Sequence, residues 1–95
     1  MYEVVFHPDV ISEVKISYEW YQIQAEGLGD DFLHESASQT ITEFPETWLK
    51  FQEDHRRFLL RKFPFSLLYR IQADTVFVVA VMHNSRKPGY WYDRK

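Results

Sequence analysis

Residues 76–82, VFVVAVM, are apolar at every position. A strand apolar on both faces sits in a sheet interior, covered on at least one side by helices. That requirement organises the rest of the chain. Thr75–Met82 is read as the last strand, Phe65–Ile71 as the one before it and Arg57–Phe63 as a third. Pro64 marks one turn and Gln72-Ala73-Asp74 the other, both short enough for hairpins. Tyr2–Phe6 is a further short strand, stopped by Pro8.

The intervening sequence changes period. Pro8 suits a first helical position and Asp9 places negative charge at the helix N-terminus. Ile11, Val14, Tyr18, Tyr21 and Ala25 recur at steps of three and four, which predicts one helical stripe. Gly27-Leu28-Gly29 supplies a break. A second helix is expected from Asp30 and Asp31, with Leu33, Ala37, Ile41 and Phe44 as its stripe and Pro45 as its end. Pro45–His55 reads as an irregular connection anchored at Trp48. The order β-α-α-β-β-β predicts an α+β fold: a helical hairpin packed on one face of a small, mostly antiparallel sheet.

Composition narrows the class. A chain of 95 residues supports one core and not two, so residues 1–95 are expected to form a single domain. Aromatic residues make up 18% of it, and their large buried areas help a short chain stabilise a modest core. The absence of cysteine removes disulfides, thiolate nucleophiles and zinc-thiolate sites together. No apolar run approaches a bilayer's thickness and the N-terminal sequence is not patterned as a signal peptide. A soluble, cytoplasmic protein is expected.

Charge is sorted along the chain. Residues 1–54 hold 12 Asp/Glu against 2 Lys/Arg, whereas residues 55–95 hold 2 against 9. A net charge of −3 thus conceals two oppositely charged halves. One-signed surfaces raise the local concentration of oppositely charged partners. The helices should carry the acidic face and the strands a basic platform.

Four stretches, in this order and spacing, carry a resemblance: VVFHPDVISEV, WYQIQAEGLGDDF, RRFLLRKFPFSLLYRI and VFVVAVMHNSRKPGYWYDR. Together they span nearly the whole chain, which resembles the RelE/ParE superfamily of toxins from bacterial toxin-antitoxin pairs. The resemblance implies a growth inhibitor of the plasmid-stabilisation type, held inactive by a co-expressed antitoxin. Such toxins divide between cleavage of messenger RNA on the ribosome and blockade of DNA gyrase by binding.

The residues bear on that choice. RNA cleavage through the ribose 2′-hydroxyl needs a general base, cationic donors for the phosphate and a general acid. Arg57 and Arg61, four apart on one expected strand, would share a face. Arg86 and Lys87 follow the last strand. His83, at that strand's end, is the acid or base candidate because imidazole titrates nearest physiological pH. Tyr90, Trp91 and Tyr92 can stack on a base, pack the tail onto the sheet or meet a partner. Against cleavage, ribonuclease members carry an arginine where this chain has Ser66, and the pI is about 5.7 rather than basic. His7, His34 and His55 share no metal-ligand spacing, and no glycine-rich phosphate loop exists, so no metal or cofactor is expected.

The leading expectation is ParE-like action on DNA gyrase. Arg57, Arg61, Arg86, Tyr90, Trp91 and Arg94 are the candidate contacts for target or antitoxin. The alternatives are a RelE-like endoribonuclease using His83, Arg57, Arg61 and Arg86, and a non-toxic module that retains antitoxin binding. Expected partners are the antitoxin and either gyrase or the ribosome with its message, in a homo-oligomer or a hetero-oligomer with the antitoxin, and no membrane. Trp20 lies off the expected stripe, either packed on the second helix or offered to a partner.

Overall fold

The computed structural model describes residues 2–36, 41, 44–48, 50, 54–86, 89–91 and 94. Strand β1 (Glu3–Phe6) leads into helix α1 (Pro8–Gln24), followed by α2 (Leu28–Ser36) and a single 3₁₀ turn, Pro45–Thr47. Strands β2 (Arg56–Leu59), β3 (Phe65–Gln72) and β4 (Thr75–His83) complete the order. The sheet runs β1-β4-β3-β2, with β1 parallel to β4 and the other two pairings antiparallel. The α+β architecture is the expected one, and the VFVVAVM strand lies inside the sheet between β1 and β3.

Local chemistry sets the helix ends. His7 Nδ1 accepts a hydrogen bond from the Asp9 N–H at 3.0 Å, and Pro8 occupies the first turn, where its missing donor costs nothing. Gly27 adopts φ 85°, a left-handed conformation that only glycine takes freely. The Gln22 side chain then caps α2 by accepting from the Gly29 N–H at 2.8 Å. A Cβ built on Gly29 would lie 2.6 Å from both Gln22 Cγ and the Tyr18 carbonyl oxygen, so the absent side chain lets α2 close onto α1.

The buried faces match the expected stripes only in part. In α1 the buried residue is Val10, with Val14 and Tyr21 packed against the core, while Ile11 is 64% exposed. In α2 Phe32 is fully buried and Leu33 is 41% exposed. In α1 the expected Val14 and Tyr21 face the core and Val10 replaces Ile11, while α2 is turned by one residue to Phe32, which with Tyr21 sits among Phe63 and Phe65, ring centroids 4.8–6.3 Å apart. Ala37 lies outside the described residues. Phe44 is exposed and Ile41 buried.

Two layers cover the sheet. The helices close one face over Phe58, Leu67, Tyr69, Val76, Val78 and Val81. The C-terminal tail closes the other, where Trp91 packs with Leu68, Val79, Ala80 and Met82. A register shift between Leu68 and Tyr69 leaves Val79 as the extra residue of a bulge, so Val79 and Ala80 both face the tail. This explains an apolar run without alternation: both sides of β4 are buried.

The strand expected to reach Phe63 ends at Leu59. The chain bends from Arg61 to Pro64, and Glu35 Oε1 on α2 accepts from the N–H groups of Arg61 (2.7 Å) and Lys62 (3.2 Å). Those two donors therefore serve a carboxylate rather than a strand ladder. Arg61 does not share a strand with Arg57.

Candidate functional site

Register alternation sorts the candidate residues onto different faces. Arg57 pairs with Leu68 and Ser66 with Met82, all on the tail side. His83 pairs with Phe65, and its ring lies 5.0 Å from the Phe65 ring, on the helix side. Its Nδ1 accepts from the Ser85 N–H at 3.1 Å, with Ser85 Oγ 2.7 Å away. Arg61 belongs to neither group: it lies in the bend, bordering a concavity with Asp31, His34, Glu35 and Lys62. The structure thus sets the His83 ring and Arg57 on opposite sides of the sheet and Arg61 in a separate bend, while the Arg86 N–H donates to the His83 carbonyl at 2.9 Å. The period of two that brings residues four apart together on a strand also sends the β4 terminus and Arg57 to opposite faces.

The tail side carries the basic surface. Arg57 donates to Ser66 Oγ at 2.9 Å and to Asn84 Oδ1 at 3.1 Å, and Ser66 Oγ donates to Asn84 at 2.5 Å. Ser66, conspicuous in sequence as a missing arginine, is a buried strut for a neighbouring one. Arg86 stacks on the Tyr90 ring at 3.7 Å, and Arg70 on Phe77 at 4.5 Å. Ring faces hold these guanidinium groups without neutralising them. Burial raises the Tyr90 hydroxyl above its ordinary pKa, Glu13 adds to the rise, and Arg86 and Arg94 oppose it.

Two candidates serve the chain itself. Trp91 is fully buried and anchors the tail core, so its ring has no surface to offer a partner. Arg94 pairs with Glu13 at 2.9 Å and with Asp9 at 3.6 Å, and donates to the Val79 carbonyl at 2.9 Å. Glu13 Oε1 accepts from the Val81 N–H at 3.1 Å. β1 pairs with β4 only as far as Val78, so this ion pair satisfies the β4 edge where the neighbouring strand has ended. Among the described residues Arg57, Arg70 and Arg86 form the basic surface, and Arg94 is engaged by internal carboxylates. Lys87 and Tyr92 lie outside the described residues.

Arg70 and Asn84 were not singled out by sequence. Arg70 was legible in principle, being two residues from Leu68 along β3 and so on the same face. Asn84 was not, because its role depends on β2 and β4 flanking β3. A second feature was also missed, a groove of about 350 Å³ between β1, α1 and α2. Phe6, Val10, Ile11, Val14, Tyr18 and Leu33 give it an apolar lining, with Lys15 and Ser36 at its border. Ile11 and Leu33, both exposed, are among its lining.

No family model matches this chain, and no curated protein does. Among solved structures, one of the chromosomal ParDE TA system from P. aeruginosa superposes with a TM-score of 0.67 at 11% identity, over 87% of this chain and 96% of that one. At that identity the likeness concerns architecture: the order of elements, the hairpin on one face and the mixed four-stranded sheet. This chain has the RelE/ParE-like fold.

Proposed function

We propose that this chain is the toxin of a type II toxin-antitoxin module of the plasmid-stabilisation type, acting in the cytoplasm as a growth inhibitor and neutralised by a cognate antitoxin. The observation that carries the reading is the fold shared with the ParDE structure over most of both chains. Binding to DNA gyrase is the favoured mode of action over RNA cleavage. Ser66 in place of an arginine supports this, because a hydroxyl that braces Arg57 cannot neutralise a phosphate. Arg57, Arg70 and Arg86 with Tyr90 are the target-facing set. The apolar groove beside α1 and α2 is the seat for the antitoxin, whose segment would order on binding.

Induced expression in bacteria, followed by DNA, RNA and protein synthesis, tests the mode of action. The expected result is an early SOS response with intact messages. Rapid loss of translation with cleaved messages would establish the endoribonuclease instead, and normal growth with folded protein would leave an interaction module. Co-expression of a short acidic protein encoded next to this gene should restore growth. Leu33→Glu, in the groove, should abolish that rescue without reducing toxicity.

A further inference from the structure

Helix α1 is apolar on two sides. Val10, Val14 and Tyr21 face the core, while Ile16, Trp20 and Ile23 are 69%, 57% and 81% exposed. The exposed three follow i, i+4, i+7 spacing and so form one continuous stripe. At about 100° per residue, the stripe lies roughly across the helix axis from Ile11 and Tyr18, which line the groove. It is a separate surface, and the proposed toxin activity is not needed to argue it.

Single exposed apolar residues are ordinary, but an aligned row of three large ones marks an interaction site. Trp20 is also pre-oriented, its ring set edge-on to Tyr21 at 5.0 Å and 86°. An oriented indole loses little freedom on contact, as suits a binding anchor. The α1 residues beside the stripe define what would cover it. Asp9, Glu13 and Glu19, with Glu26 just past the helix, are all acidic, and Lys15 lies on the groove side. Among the described residues Arg94 pairs with Asp9 and Glu13, while Glu19, one turn from Ile16, Ile23 and Lys15, and Glu26, just past the helix, are exposed. A second copy packed stripe to stripe would bring the same carboxylates together and be repelled. The stripe spans about 10 Å along the helix, the footprint of one ridge of a crossing helix and too narrow for a sheet.

We infer that this flank of α1 docks a basic amphipathic helix of another protein, with apolar side chains seated on Ile16, Trp20 and Ile23 and Lys or Arg over Glu19 and Glu26. The test uses the full chain and two fluorescently labelled model peptides of about five helical turns, each with one leucine stripe, flanked by lysine in one and glutamate in the other. Anisotropy should show the lysine peptide binding about tenfold or more tightly than the glutamate peptide, and weakening as salt rises from about 50 to 300 mM. The paired change Trp20→Gln with Ile23→Gln should weaken it about tenfold, and Glu19→Lys should weaken it as well, whereas Ile11→Gln should not. All four side chains are exposed, so circular dichroism and melting should stay as in the parent. Equal binding of the two peptides, or binding indifferent to the Trp20 and Ile23 changes, would overturn the inference. So would a dimer in sedimentation that the paired change dissolves, since the occupant would then be a second copy.

Discussion

At the scale of single residues, the roles turn on what each polar atom bonds to. Arg94 and Glu13 stand in for a missing strand along β4, largely buried at 15% and 20% side-chain exposure. Arg94→Ala removes the donor to Val79 and leaves Glu13 without its cation, so it should cost about 2 kcal/mol in denaturant unfolding. Glu13→Gln keeps an acceptor for the Val81 N–H and should cost less. Tyr69 is a second case. Its ring is fully buried, its hydroxyl donates to the Pro45 carbonyl, and burial pushes its pKa up to about 12. The neutral form is the one the fold accommodates, so the stabilisation is complete below pH 10 and is lost as pH rises from about 10 to 12. Tyr69→Phe should lower stability at pH 7 by about 1 kcal/mol and flatten the alkaline decline, as urea midpoints across that range would record.

At the scale of elements, close approach decides the hairpin. Gly29→Ala places a methyl 2.6 Å from backbone and side-chain atoms of α1, so α2 must move outward. A loss of about 1–3 kcal/mol is expected, read as a lower melting temperature. The β3–β4 turn is the opposite case, since Ala73 sits at φ 56°, where a side chain is disfavoured. Ala73→Gly should therefore raise the melting temperature, by an amount corresponding to about 0.5 kcal/mol. Strand positions were largely legible because the extended period of two, proline and short turns act locally. The helix faces were legible only to within one residue. Ile11 and Leu33 fit a 3.6-residue period as well as Val10 and Phe32 do, and only the fit of Phe32 and Tyr21 against Phe63 and Phe65 separates them.

At the scale of the whole molecule, opposite charges along the chain become opposite layers, but incompletely. Arg94 crosses to the acidic helix, and Lys62 pairs with Asp31 at 3.9 Å. For the proposed toxin, Arg86→Glu should reduce growth inhibition by reversing charge on the proposed target-facing set, while His83→Ala, on the other face, should leave it intact. Colony counts after induction, with soluble protein verified, would check both. Unchanged killing by Arg86→Glu would move the site elsewhere.

The sequence by itself determined the order of elements, the interior position of β4 and the segregation of charge, because each follows from neighbours a few residues apart. Tertiary structure alone decided which arginines face outward, that Ser66 braces Arg57, that Trp91 is core, and that His83 and Arg57 lie on opposite faces. Those outcomes depend on strand register and helix rotation, which are set by packing between segments distant in the chain.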